Sequence, residues 1–273
     1  MPLKTHRARL LASVASVAVT VTFALILGGC QTASSPTATG SINPTLSAHT
    51  TSDARRDVAS WAQLYNKNPQ QPEAAIGYAQ ALRATGQRSQ AAAVLEQASI
   101  NNPKNTAVLG AYGRALADTG NSQQALEVLG RAHTPDQPDW RILSAQGAVL
   151  DQMGRHEEAQ RHYSAALKIV PDEASVLSNL GLSYALSKNL PKAEATLRKA
   201  SEQRDAEPRV RQNLALVVGL QGRFAEAETI ARGDLSPEEA AANVAYLRQM
   251  LAQQDDRKKP RGSRGALKQA GRS

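Results

Sequence analysis

The sequence predicts an all-α chain: a solenoid of about five helix pairs over residues 53–254, with half a pair before them and a capping helix after them. Three observations predict it. Small and large residues recur every 34 positions from Pro72 onward, and a fixed period of that length marks stacked supersecondary units. Aromatic residues are only 4% of the 273, so packing must come from small side chains that let helices approach closely. Val, Ile and Thr never gather into alternating runs bounded by turns, which argues against an all-β fold.

Cutting the chain at 72, 106, 140, 174 and 208 displays the period. The eighth place of each block holds Ala79, Gly113, Gly147, Gly181 and Ala215, and the twentieth holds Ala91, Ala125, Ala159, Ala193 and Ala227. The twenty-seventh place holds Ala98, Ala132, Ala166 and Ala200, until Asp234 breaks the series. Large residues stand at the twenty-fourth place in Leu95, Leu129, Tyr163 and Leu197, with Ala231 in the last block. No insertion or deletion interrupts the five blocks. The third is the fullest example, with Leu143, Gly147, Leu150, Gly154, Ala159, Tyr163, Ala166 and Pro171.

This pattern resembles the tetratricopeptide repeat, whose small residues stand at places 8, 20 and 27. The resemblance implies two helices per repeat. Small residues at 8 and 20 let the two backbones approach, while large ones at 7, 11 and 24 fill the remaining space. Gly86, Gly120, Gly154 and Gly222 fall at place 15, between the helices, where a C-terminal cap favours positive φ. Lys188-Asn189 stands there in block four, with Asn the next best residue for that conformation. Pro103 and Pro171 end the second helices of their blocks.

The period runs backward by half, because Pro69 and Trp61 lie 34 residues before Pro103 and Leu95. Residues 53–67 are therefore expected as an unpaired second helix with Ser52 as its N-cap. Forward, Ser236-Pro237-Glu238-Glu239 combines an N-cap, proline at the first helical position and a capping-box glutamate. A helix from there to about Gln254 would cover the end of the stack. The total expected is about twelve helices and no sheet.

The net charge of +8 belongs to the two ends. Residues 1–29 carry three basic side chains and 257–273 carry seven, neither with an acid, leaving 22 basic against 24 acidic residues between them. A nearly neutral middle gives no support to a nucleic-acid-binding domain. Residues 1–9 are basic and 10–27 uncharged, and Gly28-Gly29 precede Cys30, the single cysteine. Basic, apolar and small-residue segments in that order read as a signal peptide over 1–29, with a retained signal anchor as the alternative. Leu27-Gly28-Gly29-Cys30 resembles the lipobox of bacterial lipoproteins, which implies acylation of Cys30; the alternative is a free thiol after an ordinary signal. Gln31 then implies, by the same resemblance, export to the outer membrane rather than retention at the inner one. Residues 30–52, rich in Ser, Thr, Ala and Pro, read as a flexible tether. The basic segment 255–273 reads as disordered, either a solvated tail or one drawn to anionic surfaces.

His156-Glu157-Glu158-Ala159-Gln160 lacks the second histidine that a zinc-protease helix needs at i+4, and His162 falls at i+6. No nucleophile elbow, phosphate loop or dinucleotide fingerprint occurs. One cysteine cannot build a disulfide, a four-thiolate zinc site or an iron–sulfur cluster. The expectation is a non-enzymatic protein with no cofactor, no metal, no nucleic acid and no small-molecule substrate, with an enzyme as the less favoured alternative.

By the repeat resemblance, the first helix of each pair lines a concave groove through its places 2, 5, 6, 9 and 12. The candidate partner-binding residues are Arg114, Arg141, Asp151, Asn179, Arg209, Gln212 and Asn213; Glu73, Gln80, Arg83, Ser144 and Ser175 share those places, and Asp118 stands at the groove edge. Asn179 and Asn213 share place 6, and an amide offers a peptide backbone both a donor and an acceptor. Arg209 adds attraction for a carboxylate. The chaperone-type carboxylate clamp is incomplete, since block three has Ser144 and Ala148 where the clamp has a basic residue and Asn.

Lipobox, half repeat, repeat array and the final 236–248 helix together resemble the TadD family, the repeat lipoproteins of tight-adherence (Flp) pilus assembly. That resemblance covers roughly residues 20–254. It implies a lipoprotein on the periplasmic face of the outer membrane that assists the pilus secretin. A general envelope adaptor docking cell-wall hydrolases or outer-membrane assembly proteins is the alternative.

Overall fold

The computed structural model describes residues 44–134 and 136–258, with side chains from 53 to 254. Twelve helices follow in order. They are α1 (Pro44–Lys67), α2 (Pro72–Ala84), α3 (Arg88–Asn101), α4 (Thr106–Asp118), α5 (Ser122–Gly130) and α6 (Trp140–Gln152). The second half comprises α7 (His156–Ile169), α8 (Ala174–Leu186), α9 (Leu190–Ser201), α10 (Pro208–Leu220), α11 (Phe224–Ala231) and α12 (Pro237–Lys258). No strand occurs among the described residues, where the sole extended pairing is one bridge between Thr134 and Gln137. The pairs are α2/α3, α4/α5, α6/α7, α8/α9 and α10/α11, with α1 as the half repeat and α12 as the cap.

Helix starts follow local chemistry. Pro72 and Pro208 open α2 and α10, where the missing N–H costs nothing and φ is already helical. Asn105 Oδ1 accepts from the Val108 N–H at 3.1 Å, and Asp139 Oδ1 accepts from the Arg141 N–H at 2.7 Å. Ser236 and Glu239 close the expected capping box: the Glu239 N–H donates to Ser236 Oγ at 3.2 Å, and the Ser236 N–H donates to Glu239 Oε2 at 3.0 Å.

The turn inside each pair is equally determined. Gly86, Gly120, Gly154 and Gly222 have φ between 74° and 82°. The next N–H then reaches back to the carbonyl five residues earlier, as in Gln87 to Leu82 at 2.8 Å and Arg155 to Leu150 at 2.9 Å. Block four differs from the expectation. Lys188, not Asn189, takes the left-handed conformation, at φ 65°. Asn189 instead caps α9 by accepting from the Lys192 N–H at 3.3 Å.

Place 24 seats on place 8 within each pair. A Cβ added to Gly113 would stand 2.5 Å from Leu129 Cγ, one on Gly147 would stand 2.7 Å from the Tyr163 ring, and one on Gly181 would stand 2.6 Å from Leu197 Cγ. The alanines of places 20 and 27 are at most 1% exposed, so they are the floor on which the next pair packs. Block five carries a polar pair at places 4 and 27 instead. Arg211 stands where Leu109, Leu143 and Leu177 stand in other blocks, and Asp234 replaces the alanine. Arg211 Nε donates to Asp234 Oδ2 at 2.7 Å, and the aspartate side chain is only 8% exposed.

Curvature follows from which helices touch. The first helices of successive pairs meet one another (α2 with α4, α4 with α6, and so on to α12), whereas α3, α5, α7, α9 and α11 make no such contact among the described residues. The first helices therefore crowd the inner side of the bend, and a concave face results.

Charge also ties the seams. Glu194 of α9 accepts from Arg198, from Gln221 Nε2 at 2.8 Å and from Arg223 Nη1 at 2.7 Å, and Arg198 and Arg223 also reach Glu226 of α11. Burial alone would raise the Glu194 pKa, but the bonds from Gln221, Arg198 and Arg223 outweigh it and hold the carboxyl at about 2. With an unfolded value of about 4.3, this stabilisation is complete above that pH and is lost as pH falls toward the folded value. The melting-temperature gap between the parent and Glu194→Gln is thus expected to be full at neutral pH, to shrink below about pH 4.3 and to vanish near about pH 2. A gap independent of pH would show that the network does not carry the linkage.

Both ends of the solenoid depart from the expected boundaries. Helix α1 begins at Pro44, so Ser52 lies within it instead of capping it, and the expected tether is shortened to 30–43. Helix α12 runs to Lys258, four residues beyond Gln254. The signal segment 1–29, Cys30, the remaining tether and the basic stretch from 259 onward lie outside the described residues. Among the described residues no helix is long and apolar enough to cross a membrane.

Candidate binding groove

The concave face carries two cavities of different character. The first, of ≈ 370 Å³, opens between α4 and α6 and reaches α2 and α8. Arg83, Arg114 and Arg141 line it with Asp118, and Ala117, Ala145, Ala148 and Val149 form apolar walls. The three arginines come from three consecutive repeats and reach one space because the first helices crowd inward. Arg83 Nε donates to the Asp118 carboxylate. Arg114 and Arg141 form no ion pair among the described residues. The Arg141 guanidinium lies 4.4 Å from the centre of the Trp140 ring, a cation–π contact that fixes its direction. The Arg114 pKa is lowered, first by burial and then by the charges of Arg83 and Arg141, against the partial relief given by Asp139 and Asp118.

Asn179 edges the same cavity. Its Nδ2 donates to Ser144 Oγ at 3.2 Å, and Asn213 Nδ2 donates to Ser178 Oγ at 3.1 Å. The same place-6 amide thus bonds the place-5 serine one repeat back at two successive seams. Each amide oxygen accepts no hydrogen bond among the described residues, so an acceptor is left for a ligand.

The second cavity, of ≈ 380 Å³, lies between α10 and α12 and is mostly apolar. Leu216, Tyr246 and Met250, exposed by 43%, 56% and 42%, line it together with Gln212. Sequence reasoning missed this end. The signal was present in Leu216, apolar at place 9 of a face expected to be polar, and in Tyr246 and Met250, spaced by four on α12.

Of the expected groove residues, Arg114, Arg141 and Asn179 gather at the first cavity and Gln212 lines the second. Asn213 sits between them at a seam. Arg209 is exposed and paired with Glu207, Nε to Oε2 at 2.7 Å, and lines neither cavity. The Asp151 side chain is 11% exposed and turned into the packing. Its carboxylate accepts from Tyr163 Oη at 3.1 Å and Ser183 Oγ at 2.8 Å, and meets His156 Nδ1 at 2.8 Å. Burial and the nearby Asp151 charge push the Tyr163 phenol well above its usual pKa, so it stays a donor. Among the described residues no group of three or more His, Cys, Asp or Glu is placed to hold a metal ion.

Models of the tetratricopeptide repeat match residues 82–147, 141–206 and 208–232. Comparison with curated proteins finds no match. Among solved structures, the chain is similar to PilW, described as a widely conserved type IV pilus biogenesis factor, with a TM-score of 0.60 and 16% identity over 74% of this chain and 95% of that one. It is similar to pilF of Pseudomonas aeruginosa, with a TM-score of 0.52 and 18% identity over 66% and 91% of the two chains. It is also similar to the Cut9–Hcn1 hetero-tetramer of the APC/C, with a TM-score of 0.55 and 21% identity over 73% of this chain but only 40% of that one. Repeat matches running from 82 to 232, on five helix pairs that keep a 34-residue register, identify the described chain as a tetratricopeptide-repeat solenoid.

Proposed function

We propose that this chain is a lipid-anchored, non-catalytic scaffold of the bacterial envelope that holds an extended segment of a partner protein in its concave groove. The observation that carries the binding role is the groove itself, which presents Arg114 and Arg141, in no ion pair among the described residues, at one end and exposed Leu216, Tyr246 and Met250 at the other. A surface of that kind recognises peptides by a few anchors. The anchor is assigned to Cys30 on the order of basic, apolar and small residues before it, and two or more acyl chains give stable membrane attachment. Tethering raises the local concentration of the groove, so modest contacts suffice.

The place of action is proposed as the periplasmic face of the outer membrane, and the role as TadD-like assistance to the secretin of the tight-adherence pilus. The lipobox with Gln31 and the resemblance of the 236–248 helix favour this. The occurrence of the same fold in PilW and pilF agrees with it. Deleting the gene is expected to remove detergent-resistant secretin multimers from outer-membrane fractions, and a Cys30→Ala chain is expected to lose both acyl label and membrane fractionation. Normal multimers and normal pili in the deletion strain would remove the pilus role and leave the general envelope adaptor.

A further inference from the structure

We propose that the cavity between α4 and α6 is a carboxylate pocket, in which Arg114 and Arg141 take an aspartate or glutamate side chain of the partner segment. This rests on the groove reading and names the chemistry that the groove selects. Three guanidinium groups converge on ≈ 370 Å³, and among the described residues only Arg83 is ion-paired with a carboxylate. Arg83 and Arg114 are half-buried and Arg141 is exposed, so the like charges drawn together beside apolar walls are only partly screened, and an entering anion relieves their repulsion. Burial first, and then the charges of Arg83 and Arg141, lower the proton affinity of Arg114. Trp140 holds the Arg141 guanidinium in place before any ligand arrives, which limits the ordering cost of binding.

The size and surroundings favour a peptide carboxylate over a polyanion. The cavity admits one or two side chains, and Ala145, Ala148 and Val149 offer methyl surface for the methylene groups of Asp or Glu. At its edge the free amide oxygen of Asn179 suits a backbone N–H of the same segment. A nucleic acid or polyphosphate would need positive charge to continue along the groove. Here it is flanked by Asp118 on one side, and on the other by Asn179, Asn213 and then Leu216 and Tyr246.

The test is selection of random twelve-residue peptides displayed on phage against the full chain and against the Arg114→Gln/Arg141→Gln double variant. Peptides enriched on the parent are expected to share an acid at one fixed position. Replacing that acid by its amide, or using the double variant, is expected to raise Kd at least about tenfold, as loss of a charge-assisted bidentate contact requires. The double variant should melt within a few degrees of the parent, since it removes repulsion together with the Arg141–Trp140 contact and no internal ion pair. Enriched peptides without an acid, whose binding is lost in Leu216→Ser/Tyr246→Ser, would overturn the carboxylate pocket and leave the groove standing. Peptides that bind the double variant as tightly as the parent would overturn it as well. Failure to enrich any peptide would remove both readings, and binding of labelled polyphosphate instead, abolished in the double variant, would replace the peptide carboxylate with a polyanion.

Discussion

Replacing Asp151 with alanine is expected to destabilise the solenoid by about 3–5 kcal/mol, the range for removing a buried charged acceptor from its donors. At about 2–4 °C per kcal/mol for a chain of this size, thermal denaturation followed by circular dichroism should show a melting temperature lower by about 6–20 °C. The effect is large because one carboxylate serves three elements. His156 and Tyr163 bind it from α7 within its own repeat, and Ser183 binds it from α8 in the next. The alanine leaves the Tyr163 and Ser183 hydroxyls buried without an acceptor. Tyr163→Phe removes one donor and keeps the others, so about 1–2 kcal/mol is expected there. Equal losses in the two variants would mean that Asp151 does not join the repeats.

A second large effect is expected from a single methyl group. Gly113→Ala places its Cβ 2.5 Å from Leu129 Cγ and 3.3 Å from the Ala125 carbonyl oxygen. Leu129 is fully buried and the carbonyl belongs to the backbone of α5, so neither neighbour yields easily. Overpacking of this kind costs about 1–3 kcal/mol. Leu129→Ala creates a cavity worth about 2–5 kcal/mol on its own. In the double variant the added methyl enters that cavity, and its cost is expected to be smaller than the sum by at least about 1 kcal/mol. Strict additivity in chemical denaturation would show that the two residues are not in contact.

What could be read in the sequence was whatever one residue type decides locally. A glycine or alanine at places 8, 20 and 27 meets a single demand, close approach, and it recurs often enough to display the helix pairs without coordinates. Ser236 with Glu239 was legible for the same reason, since both halves of the cap lie within four residues. The start of α1 was missed although Asn43-Pro44 offers proline at the first helical position; the Ser- and Thr-rich composition that follows concealed it. At Lys188 propensity misled, because Asn189 had a competing and better use as a cap.

The groove was legible by face and not by combination. Arg83, Arg114 and Arg141 occupy places 12, 9 and 2 of successive blocks, so no periodic pattern announces that they share a cavity; only the inward crowding of α2, α4 and α6 does that. Asp151 stands on a groove-facing place by number, yet Tyr163 replaces the leucine of place 24 and brings a hydroxyl that draws the carboxylate inward. The paired exchange of Arg211 and Asp234 was half visible, as a broken alanine series whose partner lies 23 residues earlier.

Among the described residues, helix contacts never reach farther than the second helix along the chain. A polypeptide emerging N-terminus first can therefore complete each layer from material already delivered, because every partner that a new helix needs has preceded it or follows within one repeat. No early segment waits, with its apolar stripe bare, for a strand or helix made much later, which is the usual route to aggregation in large chains. The same locality makes the number of layers adjustable: a repeat added or removed at a Gly-turned seam alters reach without requiring the remainder to be rebuilt.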